Sequence, residues 1–264
     1  MKLSAPIHVL IGHAKKIKVE QSLSMTEALN QIAKKEGYSS WSLLQSKQDE
    51  LYPNSYDEVL DFFNPGDLVI VGARPSMGKT SFTVGMFVKA INRGKAKHYF
   101  FSLAEIHKDI AGRMAIYDES LGQNNNLFEL DYSDEISADY IINKTRKEVS
   151  EGSVIVIDYL QLLDQRRANP ELQVQIDNLA NYAKETGCII IFLSQVDRNI
   201  EYKGDQRPTL EDIKLPNALD LKSFNKMIFL YRKTKESTEI EVLFRRPRDF
   251  GFIVNWNPKT IKFS

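Results

Sequence analysis

Five residues, Leu68-Val69-Ile70-Val71-Gly72, form an apolar run that breaks at Ala73-Arg74-Pro75-Ser76-Met77-Gly78, and Lys79-Thr80-Ser81 then opens a stretch with helical periodicity. A strand, a tight loop and a helix in that order are expected as one unit of a layered α/β domain. A loop in that position turns backbone N–H groups toward an anion, and the helix dipole adds positive potential at the same point. Gly78 lets the backbone approach a phosphate closely. Lys79 is expected to neutralise the β- and γ-phosphates of a nucleotide, and the Thr80 hydroxyl to ligate Mg²⁺. The strict spacing of such loops has Gly where Ala73 stands, with Gly72 one residue too early. The Gly-Lys-Thr triplet in its strand-loop-helix context outweighs that departure.

The rest of the chain repeats the alternation. Apolar runs at Leu68–Gly72, His98–Leu103, Ser153–Asp158, Cys188–Ser194, Met227–Tyr231, Glu239–Phe244 and Phe252–Trp256 are expected as strands. Helical patterns lie at Thr80–Asn92, Ile106–Tyr117, Ser137–Glu148 and Leu172–Thr186. The first four runs are continuous and rich in β-branched residues, as strands buried on both faces should be. The expectation is an α/β fold with a mostly parallel sheet and helices on both faces, closed by an antiparallel extension at the C-terminus. Val154-Ile155-Val156-Ile157-Asp158 ends an apolar strand in a carboxylate. Ligands of parallel sheets sit at the carboxyl ends of strands, which is where both Lys79 and Asp158 fall.

Composition adds mainly exclusions. The formal net charge of +0 argues against a uniformly basic coat but leaves room for a local basic strip. A single cysteine, Cys188, excludes an intrachain disulfide; inside an apolar run it is expected as a buried, inert thiol. The four histidines have no cysteine partners at zinc spacing. No apolar stretch approaches transmembrane length, and the N-terminus lacks a signal-peptide pattern, so the expectation is a cytoplasmic protein with no membrane partner.

The N-terminal segment has a different texture. Pro6 to Val19 carries Ile7, Leu10, Ile11, Ala14 and Ile17 on one helical face. Ser24-Met25-Thr26-Glu27 has the form of a capping box, followed by a helix that stops at Gly37, and Trp41, Leu43 and Leu44 offer a third short helix. Residues 1–48 are therefore expected as a small helical module, either packing on the core or docking a protein or DNA partner. A polar linker is expected over 45–65, a short helix over Tyr56–Phe63, and the ATPase domain over 49–264.

At this point the motifs resemble a known family. Ala73-Arg74-Pro75-Ser76-Met77-Gly78-Lys79-Thr80 is similar, including the Ala, to the phosphate loop of DnaB-type helicases, whose motor has a RecA-like fold. Ile157-Asp158-Tyr159-Leu160-Gln161-Leu162-Leu163 resembles their Mg²⁺ strand and its exit, and Leu193-Ser194-Gln195-Val196-Asp197-Arg198 their strand-end sensor. The resemblance covers roughly residues 60–264; the family's large N-terminal helical domain has no counterpart in the short module at 1–45. It implies ATP and Mg²⁺ as cofactors, with Ala73 to Ser81 around the nucleotide and Thr80 and Asp158 at the metal. It implies Gln195 as γ-phosphate sensor and Arg246 as an arginine finger reaching the neighbouring subunit's nucleotide, hence self-association as a ring or filament, with a hexamer favoured. A basic strand edge is the alternative for Arg246. The family has Lys two residues before that arginine, where Phe244 stands here, with Arg245 and Arg248 nearby. The loop carrying Arg166, Arg167 and Asn169 matches one that faces the family's central channel and touches single-stranded DNA; a solvated surface loop is its alternative.

One departure bears on chemistry. The family has Ser-Leu-Glu after its second core strand, and the Glu polarises the attacking water; here the run is Ser102-Leu103-Ala104-Glu105. Three readings stay open: a substitution at 104 that traps ATP, Glu105 as the base in the following turn, or a protein that binds ATP and hydrolyses it weakly. The segment Leu215–Asp220 also departs from the family's Ser-, Gly- and acid-rich pattern near the channel. The sequence thus supports an ATP-driven translocase or helicase on single-stranded DNA, with a nucleotide-switched regulatory or scaffold ATPase as the alternative.

Overall fold

The computed structural model describes residues 7–46, 53, 55–94, 96–103, 107–121, 126–164, 169–215, 217, 219–234, 236–246 and 249–263. Four helices come first: α1 (Ile7–Glu20), α2 (Met25–Lys35), α3 (Trp41–Ser46) and α4 (Tyr56–Asp61). The core then runs β1 (Leu68–Ala73), α5 (Lys79–Asn92), β2 (His98–Ser102), α6 (His107–Tyr117), β3 (Phe128–Asp131), α7 (Ala138–Thr145), β4 (Val154–Asp158), α8 (Leu172–Thr186) and β5 (Ile189–Gln195). It closes with β6 (Lys226–Tyr231), β7 (Ile240–Arg246), β8 (Asp249–Asn257) and β9 (Lys262–Phe263).

The strands form one sheet in the order β3-β2-β4-β5-β1-β6-β7-β8-β9. Pairing is parallel from β3 through β6 and antiparallel from β6 to β9. The parallel strands inside the edge strand β3 are buried on both faces. Val69, Val71 and Ala73 enter one apolar cluster with α4 and α5, while Leu68 and Ile70 enter another with α7 and α8. That two-sided burial is why these strands read as continuous apolar runs rather than alternating ones.

Every strand and every core helix expected from the sequence is present, with ends shifted by a few residues. Two strands among the described residues were not anticipated. β3 is a four-residue edge strand, Phe-Glu-Leu-Asp, half-buried along most of its length, and β9 has only two residues. Neither is long enough to show a period. Cys188 is fully buried, and burial pushes its thiol up to about 11, which keeps it protonated and unreactive.

Glycine at position 85, in the middle of α5, costs roughly 1 kcal/mol relative to alanine. Its reason is the packing of α4: a Cβ there would lie 2.5 Å from Cζ of Tyr56. Tyr56 in turn meets Phe82, Tyr117, Trp256 and Phe263 at ring separations of 5.1–6.4 Å, mostly edge-on. This aromatic cluster lies directly beneath the helix that follows the phosphate loop.

The N-terminal helices have their own core of Leu10, Ala14, Ala28, Ile32, Ala33, Trp41 and Leu44. The capping box at α2 is present: Ser24 Oγ accepts from Glu27 N–H at 3.2 Å, and Glu27 Oε2 accepts from Ser24 N–H at 2.8 Å. Part of the expected linker, 47–52 and 54, lies outside the described residues. No described helix is long and apolar enough to cross a membrane.

Candidate nucleotide site

Parallel register brings the functional strand ends together. Ala73 pairs with Gln195 across β1 and β5, and Asp158 pairs with Leu193, two residues before Gln195, across β4 and β5. The expected phosphate-binding and sensing residues therefore fall along one edge of the sheet.

The loop itself is held in an unusual backbone shape. Ser76 and Gly78 have φ of 64° and 82°. Gly78 must be glycine for a second reason: a Cβ would lie 3.1 Å from both Ile240 Cδ1 and Trp256 Cζ3, so the loop is seated on the antiparallel half of the sheet. Ala73 is tolerated where the strict spacing has glycine because it is still strand. It pairs on both sides, with Gln195 and Leu230, and its carbonyl accepts from Val196 N–H at 3.0 Å. Helix α5 starts at Lys79 with Gly78 as its N-cap and no capping side chain, so a bound anion can serve as its cap.

A cleft of about 450 Å³ opens over this loop, lined by Ala73, Arg74, Pro75, Ser76, Gly78, Lys79, Thr80 and Ser81 together with Gln195. Met77, the remaining loop residue, packs on the core beneath. The Thr80 hydroxyl donates to Asp158 Oδ2 at 3.3 Å, and Asp158 is buried. A hydroxyl and a carboxylate so close offer the hard oxygen donors that Mg²⁺ takes. Thr80 thus lines the cleft with the expected phosphate residues, and Asp158 lies buried behind it within hydrogen-bond reach.

Three further residues line the cleft that the sequence reading missed: Arg113 from α6, Arg232 after β6, and Pro258 after β8. Arg113 Nη1 donates to Ser81 Oγ at 2.8 Å, and Tyr117 OH donates to the Ser81 carbonyl at 2.7 Å. Burial raises the Tyr117 phenol above its ordinary value, so it remains a donor. Arg74 is ion-paired with Glu201 in the 3-10 turn Arg198–Tyr202. No local pattern marks these residues, which arrive from distant segments.

The other expected site residues are less concentrated. Glu105, with Ala104, lies outside the described residues, as do Arg166 and Arg167. Asn169 is described, and its Nδ2 donates to the Leu163 carbonyl at 3.1 Å. Arg246 ends β7, with its side chain outside the description; Arg248 is outside it altogether. Phe244, where the family has Lys, is fully buried and packs on Phe62 with ring centroids 5.5 Å apart. Its face of the strand belongs to the core, so a cation there is excluded by packing. The β7–β8 register shifts between Phe244 and Arg246, which interrupts the strand's alternation just before the expected finger.

Comparison with known proteins gives a consistent picture. A family model described as the DnaB-like helicase C terminal domain matches residues 53–129 and 120–255. The replicative DNA helicase DnaB of Helicobacter pylori (strain J99) is 32% identical over 209 residues, covering 67% of this chain and 42% of the relative. A probable replicative DNA helicase of Trieres chinensis is 27% identical over 248 residues, covering 82% of this chain and 54% of the relative. The chain spans about half the length of these curated relatives. Among solved structures, an isolated ATPase domain aligns with a TM-score of 0.60 at 24% identity, covering 77% of this chain and 86% of that one. A DnaB-like replicative helicase, solved in a study of its interactions with primase, aligns with a TM-score of 0.61 at 21% identity, covering 94% and 73%. At these identities the two structures speak to the fold.

Proposed function

Because this chain belongs to the DnaB-like helicase C-terminal domain family, we propose that it binds and hydrolyses ATP as an oligomeric motor on single-stranded DNA, its sites completed between subunits. The observation that carries this reading is the approach of the Thr80 hydroxyl, in a cleft that Lys79 and Gln195 also line, to the buried Asp158 carboxylate 3.3 Å away. The loop N–H groups and Lys79 bind and orient the triphosphate. Thr80 and Asp158 would hold Mg²⁺, which when bound neutralises charge developing on the β- and γ-phosphate oxygens. On this reading Gln195, at the exposed tip of β5, senses the terminal phosphate. Arg246 serves the neighbouring subunit as the finger, and the Arg166–Arg167 loop, with Asn169, contacts the nucleic-acid backbone. Residues 1–48 form a separate module available to a protein partner.

A second reading is favoured by one specific observation, the alanine at position 104, where the family carries its water-polarising glutamate. On that reading the protein binds ATP as a switch and turns it over weakly. Steady-state ATPase rates with and without single-stranded DNA separate the two. DNA-stimulated turnover supports the motor. Magnesium-dependent ATP binding with DNA-independent, slow turnover supports the switch. Ala104→Glu gives a second handle: a gain on the order of 10²–10⁴ in rate is expected if only the base is lacking. Absence of any magnesium-dependent ATP affinity would overturn both.

A further inference from the structure

Helix α6 turns one stripe toward α5: Ile110, Arg113, Met114 and Tyr117, spaced three and four residues apart. Ile110 and Met114 are buried in the cluster that also holds Phe82 and Met86 of α5. The two polar members of the stripe take hold of a single residue, Ser81. Arg113 Nη1 donates to the Ser81 hydroxyl at 2.8 Å, and Tyr117 OH donates to the Ser81 carbonyl at 2.7 Å. A helical carbonyl has a second lone pair beyond its ladder bond, and Tyr117 occupies it here.

Behind Tyr117 stands Tyr56 of α4, with the two hydroxyl oxygens 3.3 Å apart. A phenol has one proton, and Tyr117 gives its own to Ser81, so Tyr56 is the donor of this bond. The bonds therefore run in one direction, from Tyr56 to Tyr117 to Ser81. Space for both rings comes from Gly85, one turn further along α5. A Cβ there would lie 2.5 Å from Tyr56 Cζ and 2.7 Å from Tyr117 Cε1, so the glycine serves the two tyrosines together. Tyr56 is buried and Tyr117 half-buried, so little water competes for these bonds.

Ser81 sits at the working end of α5. The bond that reaches back to the loop runs from Phe82 N–H to the Gly78 carbonyl at 2.8 Å. The Thr80 and Ser81 N–H groups therefore precede the helical ladder, at the end of the helix that favours an anion. Ser81 itself lines the cleft, and its neighbour Thr80 donates to Asp158. We infer, resting on the reading of this cleft as a nucleotide site, that Tyr117, aligned by Tyr56, is a positioning residue: it fixes the Ser81 backbone and so sets the aim of these donors at a phosphate. With the tie in place the first turn of α5 is already oriented when the triphosphate arrives, and the ordering cost of binding is lowered. Without it the turn is oriented only on binding, and affinity falls.

The test uses the whole chain and hydroxyl deletions that leave both rings in place: Tyr117→Phe, Tyr56→Phe and the double variant. Calorimetry with Mg·ATP reads affinity, and urea unfolding checks that each variant is folded at the temperature used. Tyr117→Phe is expected to weaken Mg·ATP binding about fivefold, the scale of one neutral hydrogen bond, and Tyr56→Phe about twofold. Because Tyr56 acts through Tyr117, deleting its hydroxyl in the Tyr117→Phe background is expected to change affinity no further. In steady state KM should rise with Kd while kcat changes by less than about twofold, because the tie is the same in the ground and transition states. A purely structural role would lower the urea midpoint and leave the affinity of the folded protein unmoved. Folded Tyr117→Phe that binds Mg·ATP as tightly as wild type overturns the inference, as do losses from the two tyrosines that simply add. Wild-type protein without magnesium-dependent ATP affinity is a different result, which sinks the nucleotide reading and this inference with it.

Discussion

The two halves of the sheet do different work. From β3 to β6 the strands are parallel, and β1 and β5 end at the cleft. From β6 to β9 they are antiparallel and carry none of the residues expected at the triphosphate, apart from the finger at the end of β7. Yet the antiparallel half decides the shape of the phosphate loop. Trp256 and Ile240 form the surface on which Gly78 rests, and Arg232 and Pro258 reach the cleft from the ends of β6 and β8. The contrast teaches that candidate chemistry and support are separable here: the parallel half carries the groups proposed to act on the nucleotide, and the antiparallel half supplies the floor beneath the loop.

The comparison breaks most severely at Trp256. Truncation to alanine is expected to cost about 3–5 kcal/mol, because a fully buried ring leaves a cavity under α5. Urea unfolding measures that loss, and nucleotide titration should show weakened ATP binding alongside it. Retained ATP affinity at reduced stability would mean the floor is not needed by the loop. Lys79→Ala is the mirror case in the parallel half. It is expected to lower turnover by about 10²–10³, the scale for removing one preorganised charge-stabilising group, with little change in the unfolding midpoint.

The next effect concerns pH and belongs to the parallel half alone. His98 is buried in β2, its Nδ1 accepts from Val154 N–H at 3.0 Å, and burial pulls its pKa down to about 4 from an ordinary 6.5. The folded state thus binds this proton less readily than the unfolded chain. Stability is full above about pH 6.5 and is lost as pH falls toward 4. Between pH 7 and pH 5 the loss should be about 2 kcal/mol, seen as a drop in urea midpoint that His98→Leu removes. A smaller effect sits on the seam between the halves. Gly78→Ala places an ordinary side chain at φ 82°, at a cost of roughly 1–2 kcal/mol, and crowds Trp256 and Ile240. Calorimetry should find ATP affinity reduced by more than the stability change alone, and an unaltered affinity would show that the loop adapts without its floor.

Much of this architecture was legible along the chain. Strands covered on both faces leave unbroken runs such as Val154–Asp158, and capped amphipathic helices leave marks such as Ser24 and Glu27. The expected phosphate residues share one cleft, with Asp158 behind Thr80, for the same reason: strand, loop and helix are consecutive, and a parallel sheet aligns its carboxyl ends. Short edge elements escaped, because four residues at β3 and two at β9 carry no measurable period. Phe244 shows the opposite case, where the family pattern suggested a cation and burial against Phe62 required an aromatic.

What the sequence determined by itself was local: which segments extend, which coil, and that the Gly78-Lys79-Thr80 loop joins a strand to a helix. The meeting of Arg113, Arg232 and Pro258 over that loop, the pairing of Arg74 with Glu201, and the grip of Tyr117 on Ser81 were decided by tertiary structure alone. Such contacts join segments tens to more than a hundred residues apart, and their closeness comes from sheet order and the packing of helices on it. No window along the chain contains both partners, so no local pattern can encode them.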